Sequence, residues 1–194
     1  EFHRQRGAAA TLVLTRVPDP LEYGVVIVDG EGTIQRFLEK PAPGEVFSDT
    51  VNTGIYILEP EALAEVPEGR PYDFSKDLYP ALLAEGKLLC GYVAEGYWTD
   101  IGSLEQYQAA NHDCLLGKVK VEFAGEQMGE GIWVGENTRV HPAAELRAPV
   151  LIGHGCSIGP GAQVGPLSVV GDNCVVEAGA QVEQSSPPPD GLKW

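Results

Sequence analysis

Residues 131–183 read GIWVGENTRVHPAAELRAPVLIGHGCSIGPGAQVGPLSVVGDNCVVEAGAQVE, and a period of six runs through them without a slip. Val134, Val140, Leu146, Ile152, Ile158, Val164, Val170, Val176 and Val182 mark it. Glycine follows five of these, as Gly135, Gly153, Gly159, Gly165 and Gly171. Four positions after the marker residues lie Thr138, Ala144, Val150, Cys156, Ala162, Ser168, Cys174 and Ala180, all small or medium. A helix cannot keep such a stripe on one face, because six residues rotate it by roughly 600°. A short strand followed by a sharp turn can. The large aliphatic then points inward, the small residue fits near a corner, and glycine relieves strain at the turn.

This rhythm resembles the left-handed parallel β-helix, in which three hexads close one triangular coil. Nine hexads imply three coils. Cys156 and Cys174 then stack in adjacent rungs, at a spacing of roughly 4.8 Å that a disulfide could bridge. A reducing cytoplasm favours two packed thiols instead. The flank and open end of such a coil offer apolar edges that pair, so a homo-oligomer is the expectation. Beyond the repeat, residues 184–194 contain Ser185-Ser186-Pro187-Pro188-Pro189-Asp190, which reads as a linker or exposed end.

The whole chain has 194 residues, enough for one large domain or two modest ones. Its 28 acidic residues against 13 basic give a net charge of −15, which disfavours adhesion to nucleic acid or to an anionic membrane. A phosphorylated small substrate stays open, since it needs only one or two placed cations. No apolar run reaches the length of a membrane span, and the opening Glu1-Phe2-His3-Arg4 is no signal peptide, so the expected compartment is the cytoplasm. The cysteines Cys90, Cys114, Cys156 and Cys174 form no metal-binding spacing.

Ahead of the repeat, apolar runs alternate with helical patterns. Ala10–Val17, Tyr23–Val28, Thr33–Glu39, Val51–Leu58 and Leu88–Val93 read as strands, the second and third joined by the turn Asp29-Gly30-Glu31-Gly32. Pro60 opens a short helix, and Asp73 caps another running through Ala84 with Leu78, Leu82 and Leu83 on one face. A last helix covers Leu104–Leu116. The alternation predicts an α/β domain with a mostly parallel sheet and antiparallel additions. Glu1–Gly7 reads as the end of a helix closed by a C-cap glycine, and the expectation is a domain cut from something longer.

Three segments put polar groups where a core strand does not want them. In Phe37-Leu38-Glu39-Lys40-Pro41, a carboxylate able to accept sugar hydroxyls adjoins an ammonium able to neutralise a phosphate. Read alone, the pair is more often a solvated strand end. Within Asn52-Thr53-Gly54, the carboxamide offers donor and acceptor, and Gly54 lets a ligand approach the backbone; the alternative is a bulge with a self-satisfied Asn. In Trp98-Thr99-Asp100-Ile101-Gly102, the aspartate suits Mg²⁺ or, as a bland alternative, a helix N-cap.

Taken together with Tyr23-Gly24-Val25-Val26, and in this order, the segments resemble the sugar-1-phosphate nucleotidyltransferases, in flavour the mannose-1-phosphate guanylyltransferases. The resemblance covers about residues 1–183. It implies a partial Rossmann-like α/β nucleotidyltransferase domain over 1–116, a linker over 117–130, and an all-β left-handed parallel β-helix over 131–183. It also implies roles. Gly24 would lend backbone contact to the sugar, Glu39 would hold its hydroxyls, Lys40 would bind its phosphate, and Asn52 would contact the ring. Asp100 would be one of two aspartates on Mg²⁺. The implied substrates are a hexose 1-phosphate and a nucleoside triphosphate, joined with loss of pyrophosphate.

The family's GxGTRLxP-type nucleotide loop and its other metal aspartate are not in these residues, so the isolated chain is expected to show no transfer activity. Two rivals stand beside this reading. An acetyl-CoA-dependent acyltransferase would need His141 or His154 as base on the coil. A non-catalytic module would only bind a sugar phosphate or oligomerise. The main reading requires the Lys40 ammonium and the Asp100 carboxylate to lie near one another on one side of the sheet.

Overall fold

The apolar run ATLVLTR forms strand β1 (Ala10–Arg16), whose Leu12 and Leu14 side chains are fully buried. It belongs to a computed structural model that describes residues 1–21, 23–39, 48–64 and 66–187, with Glu39 described by its backbone alone. The chain divides into two units, Glu1–Trp98 and Thr99–Trp194.

In the first unit, β2 (Gly24–Val28), β3 (Ile34–Glu39), β4 (Thr50–Leu58) and β5 (Leu89–Val93) join β1 in one sheet, ordered β3-β2-β4-β1-β5. Only β1 and β5 run parallel; β2–β3, β2–β4 and β1–β4 are antiparallel. The expected mostly parallel sheet is therefore replaced, among the described strands, by a mostly antiparallel one. Parallel neighbours need a crossover between them. The five residues between β2 and β3 are too few to provide one. The β2–β3 turn is set by Asp29, whose Oδ1 accepts from the Glu31 and Thr33 amides at 2.9 Å each.

Two helical segments, Pro60–Leu63 and one begun at Asp73, pack on the Leu12–Leu14 face of the sheet. Asp73 accepts from the Ser75 and Lys76 amides and starts the second of them, as its sequence predicts. It opens as a π-helical turn, Phe74–Leu78, before the α-helix Tyr79–Ala84. Pro80 explains this, because it has no N–H to bond back by four residues, and a wider turn accommodates that loss. Leu78, Tyr79 and Leu82 pack on Leu12, Leu14, Val26 and Ile34 to make the core. At the chain's start, Phe2–Arg6 is helical and Gly7 closes it at φ 60. Buried His3 pins this turn to the sheet, with Nδ1 2.8 Å from Thr11 Oγ1 and Nε2 3.0 Å from Glu59 Oε1.

In the second unit the helix Leu104–Leu115 is capped by Ser103, whose Oγ accepts from the Gln106 amide at 3.1 Å. The repeat follows. Ile132–Val134, Val150–Ile152 and Ser168–Val170 pair in parallel as one sheet. Arg139–Val140, Ser157–Ile158 and Val175–Val176 form a second, and Glu145–Leu146, Gln163–Val164 and Gln181–Val182 a third. The chain visits the three sheets in strict rotation, and pairs such as Val150 with Ser168 show that each circuit takes eighteen residues. Ile152, Ile158, Val164, Val170 and Val176 are buried, as the period predicts, together with Cys156, Ala162 and Ser168.

The hexad glycines have a different reason from the expected one. Gly135, Gly153, Gly159 and Gly171 do not adopt left-handed backbone; of the five, only Gly165 does, at φ 96. A Cβ on Gly135 would come 2.5 Å from the Gly153 carbonyl carbon, and one on Gly159 2.8 Å from the Ala178 nitrogen. Closeness of the next rung, not turn strain, requires Gly135, Gly153 and Gly159. Cys156 is a free thiol donating to the Gly171 carbonyl at 3.0 Å, and burial pushes its pKa up.

Two boundaries also differ from expectation. Glu126–Gly129, inside the expected linker, forms a strand antiparallel to Ile132–Val134. Its sequence EQMG has no alternation to reveal it. Past the repeat, Ser185 still accepts from the Val169 amide at 2.7 Å, so the first residues of the expected tail remain tied to the rung beneath.

Candidate active site

Gly24 opens β2 and pairs with Glu39 of β3, while Val25 pairs with Val51 of β4. That register sets Asn52, the residue after Val51, beside Gly24 on its other flank. Three of the sequence-predicted site positions thus share one row across β3-β2-β4. A shallow groove runs along this row, lined by Gly24, Val26, Phe37, Leu38, Asn52 and Ser75 among others. Its cavity volume of about 10 Å³ holds roughly one water. It is a surface for the edge of a ligand rather than an enclosure.

Asn52 is oriented from both ends. Its Oδ1 accepts from the Gly54 amide at 3.0 Å, and its Nδ2 donates to the Tyr56 hydroxyl at 2.8 Å. Gly54 takes φ 83, a left-handed conformation that favours glycine, and Thr53 Oγ1 donates to the Val13 carbonyl at 2.8 Å. Opposite them β1 advances two residues, Leu12 to Leu14, while β4 advances four, Tyr56 to Asn52. The segment is therefore a bulge, the alternative its sequence had left open. The carboxamide still keeps one N–H and one carbonyl lone pair for a ligand.

Lys40 lies outside the described residues, as does the side chain of Glu39. Asp100 belongs to the second unit. It is exposed, and no hydrogen bond or ion pair engages its carboxylate among the described residues. The N-cap alternative for it fails, because Ser103 fills that role and Gly102 donates to Gln106 Oε1 at 3.0 Å. One free carboxylate fits Mg²⁺, which commonly takes one or two carboxylates and completes its shell with phosphate and water oxygens. Among the described residues no cluster of three or more His, Cys, Asp or Glu is arranged to hold a metal by itself.

Two neighbours were given no site role by the sequence reading: Ser75, which lines the groove, and Tyr56, which closes the motif Asn52-Thr53-Gly54-Ile55-Tyr56 and holds Asn52. The signal for Tyr56 was Gly54 in the middle of an apolar strand, a mark of a bulge. Ser75 carried no signal beyond its place behind the Asp73 cap. The two histidines of the rival reading each use Nδ1 to accept a backbone amide, His141 from Ala143 at 3.0 Å and His154 from Glu136 at 2.9 Å. Those bonds tie both rings to the turns of the repeat.

The chain is similar to known proteins over most of its length. The sequence model of the family described as Nucleotidyl transferase matches residues 1–116, and that described as Bacterial transferase hexapeptide (six repeats) matches 131–166. The chain is 38% identical over 157 residues to the UTP–glucose-1-phosphate uridylyltransferase of Synechocystis sp., covering 79% of this chain and 40% of that protein. It is 34% identical over 156 residues to the mannose-1-phosphate guanylyltransferase of Mycobacterium tuberculosis, covering 80% and 43%. With the glucose-1-phosphate adenylyltransferase of Desulfitobacterium hafniense it shares 32% over 173 residues, covering 80% and 41%. The chain spans about two fifths of the length of these curated relatives. With more than half of its residues matched by the first of those sequence models, the chain belongs to the nucleotidyl transferase family.

Proposed function

We propose that this chain carries the sugar-phosphate side of a sugar-1-phosphate nucleotidyltransferase of the mannose-1-phosphate guanylyltransferase kind. The observation that supports it most is the row Glu39–Gly24–Asn52, set by the register of three adjacent strands. In this reading the sugar edge lies along the groove. The Gly24 backbone approaches the ring without a side chain in the way, and Asn52 and Glu39 bond its hydroxyls. The Lys40 ammonium neutralises the 1-phosphate. An oxygen of that phosphate attacks the α-phosphorus of a nucleoside triphosphate, the new P–O bond forms, and pyrophosphate leaves with the electrons of the broken one. Alignment and charge neutralisation carry most of the acceleration. Asp100 would hold Mg²⁺, which supplies positive charge to the triphosphate oxygens.

We further read the three-sheet circuit as a left-handed parallel β-helix and as the surface through which copies associate. Cytoplasmic residence is part of the same reading. Among the described residues no helix is long and apolar enough to cross a membrane.

Titration calorimetry of the chain with mannose 1-phosphate tests the proposal. Binding that is lost in both Asn52→Ala and Lys40→Ala supports it. Binding unaffected by either substitution, or no binding of any hexose 1-phosphate, overturns it, and sedimentation would then decide whether the chain is an assembly module alone.

A further inference from the structure

Asn52 and Tyr56 are four residues apart on one strand, yet their polar atoms are 2.8 Å apart. In a regular strand four residues span roughly 13 Å. The contact exists because the Gly54 bulge folds the strand back on itself, with two surplus residues opposite Val13. Tyr56 is also held at its other end. Its ring meets Tyr79 edge-on at 5.6 Å and Phe74 at 6.2 Å, and Tyr79 is fully buried. The hydroxyl is therefore a fixed point anchored in the core, and the carboxamide is clamped between it and the Gly54 amide.

A carboxamide has two donors and two acceptor lone pairs. The clamp uses one of each and dictates which end of the group is carbonyl and which is amino. One donor and one acceptor remain, beside Gly24 and Ser75. A sugar hydroxyl both donates and accepts, so a pair of neighbouring hydroxyls fits this remainder. An unprotonated phosphate oxygen, which only accepts, uses half of it.

We infer that Tyr56 is a positioning residue, whose hydroxyl fixes the Asn52 carboxamide in the orientation that reads adjacent hydroxyls of a hexose 1-phosphate. This rests on the function proposed above. It adds the source of hydroxyl selectivity, placed in a residue that need not touch the sugar.

The test is titration calorimetry of the full chain with mannose 1-phosphate and, separately, with inorganic phosphate. Tyr56→Phe is expected to weaken mannose 1-phosphate about tenfold, the loss of one hydrogen bond's orientation. Inorganic phosphate affinity and the unfolding temperature should stay as in the wild type, and exposed Ile57, changed to Thr, should alter neither ligand. Equal affinity of wild type and Tyr56→Phe for mannose 1-phosphate overturns the inference and leaves the proposed function standing. Failure of the wild type to bind any hexose 1-phosphate overturns both. Side-chain amide NMR of the free protein gives a reading independent of ligand. The clamped Asn52 protons should be slow to exchange and well separated in the wild type and lose both properties in Tyr56→Phe; an unchanged pair of signals overturns the clamp.

Discussion

Gly135 lies directly under Gly153, so close that a side-chain carbon on the first would come 2.5 Å from the carbonyl carbon of the second. The obstruction is backbone, which cannot rotate away as a side chain can. Gly153 meets the next rung in the same manner, with the Asp172 nitrogen 2.8 Å from its would-be Cβ. At Gly171 the series ends, and the nearest atom is a Pro187 side-chain carbon at an ordinary 3.4 Å. Gly135→Ala should therefore destabilise the repeat by about 2 kcal/mol or more, and Gly171→Ala by less than about 0.5 kcal/mol. Chemical denaturation of the two variants, one glycine position two rungs apart, checks the contrast.

Tyr79 is completely buried and, among the described residues, its hydroxyl has no hydrogen-bond partner. Burial also drives its pKa upward, which keeps the group neutral. Removing an unsatisfied polar atom from a core relieves a desolvation cost of about 1–3 kcal/mol. Tyr79→Phe should leave stability unchanged or raise it by up to about 1 kcal/mol, whereas Tyr79→Ala should cost about 3–5 kcal/mol by opening a cavity among Phe37, Tyr56 and Phe74. Thermal unfolding of both variants decides the matter. A destabilised Tyr79→Phe would mean that the hydroxyl has a partner after all.

The hairpin between β2 and β3 should weaken in acid. Hydrogen bonds from the Thr33 and then the Glu31 amide hold the Asp29 carboxyl below its usual pKa. A depressed folded-state pKa adds stability at pH values above the ordinary carboxylate value, and that increment disappears as pH falls through the depressed one. Wild type and Asp29→Asn should thus differ in unfolding temperature at pH 6 and converge toward pH 2–3. A gap that persists or widens in acid contradicts the assignment.

Gly54 makes a cleaner test of backbone conformation, because a Cβ there would meet nothing within 4 Å. Only its φ of 83 resists a side chain. Gly54→Ala should cost about 1 kcal/mol, and Gly54→Asn less, since asparagine tolerates the left-handed region better. Circular dichroism melts of the pair measure both. Any extra loss of mannose 1-phosphate binding in Gly54→Ala would report the bulge's hold on Asn52.

Much of this molecule was legible in its sequence, and unevenly so. The hexapeptide period survives into three sheets because each sixth side chain meets its counterpart one circuit away, so a local pattern dictates a non-local contact. The strand positions of β1 to β5 were also readable from apolar runs ended by proline, glycine and aspartate. Their order was not. That β1 lies between β4 and β5, and that only one pair is parallel, depends on how segments cross the sheet, which no periodicity encodes. At the site, Glu39 and Asn52 stood out as polar interruptions of apolar strands, Gly24 came only from the family resemblance, and the register gathers the three. Tyr56 stayed hidden because an aromatic in a strand looks like core, and half of it is. Its hydroxyl acquires a job only through a bulge that shortens the distance to Asn52. The reason for the hexad glycines was missed as well, since a glycine needed for a neighbour's backbone looks the same in sequence as one needed for its own.

The eighteen-residue circuit makes length itself a constraint on this part of the chain. Adding or deleting a single residue inside a strand would shift every later marker aliphatic off the interior stripe, whereas adding eighteen would only lengthen the stack by one storey. Tolerated variation in this region should therefore come as whole storeys or as excursions at the corners, and the repeat can serve as a spacer adjustable only in fixed steps.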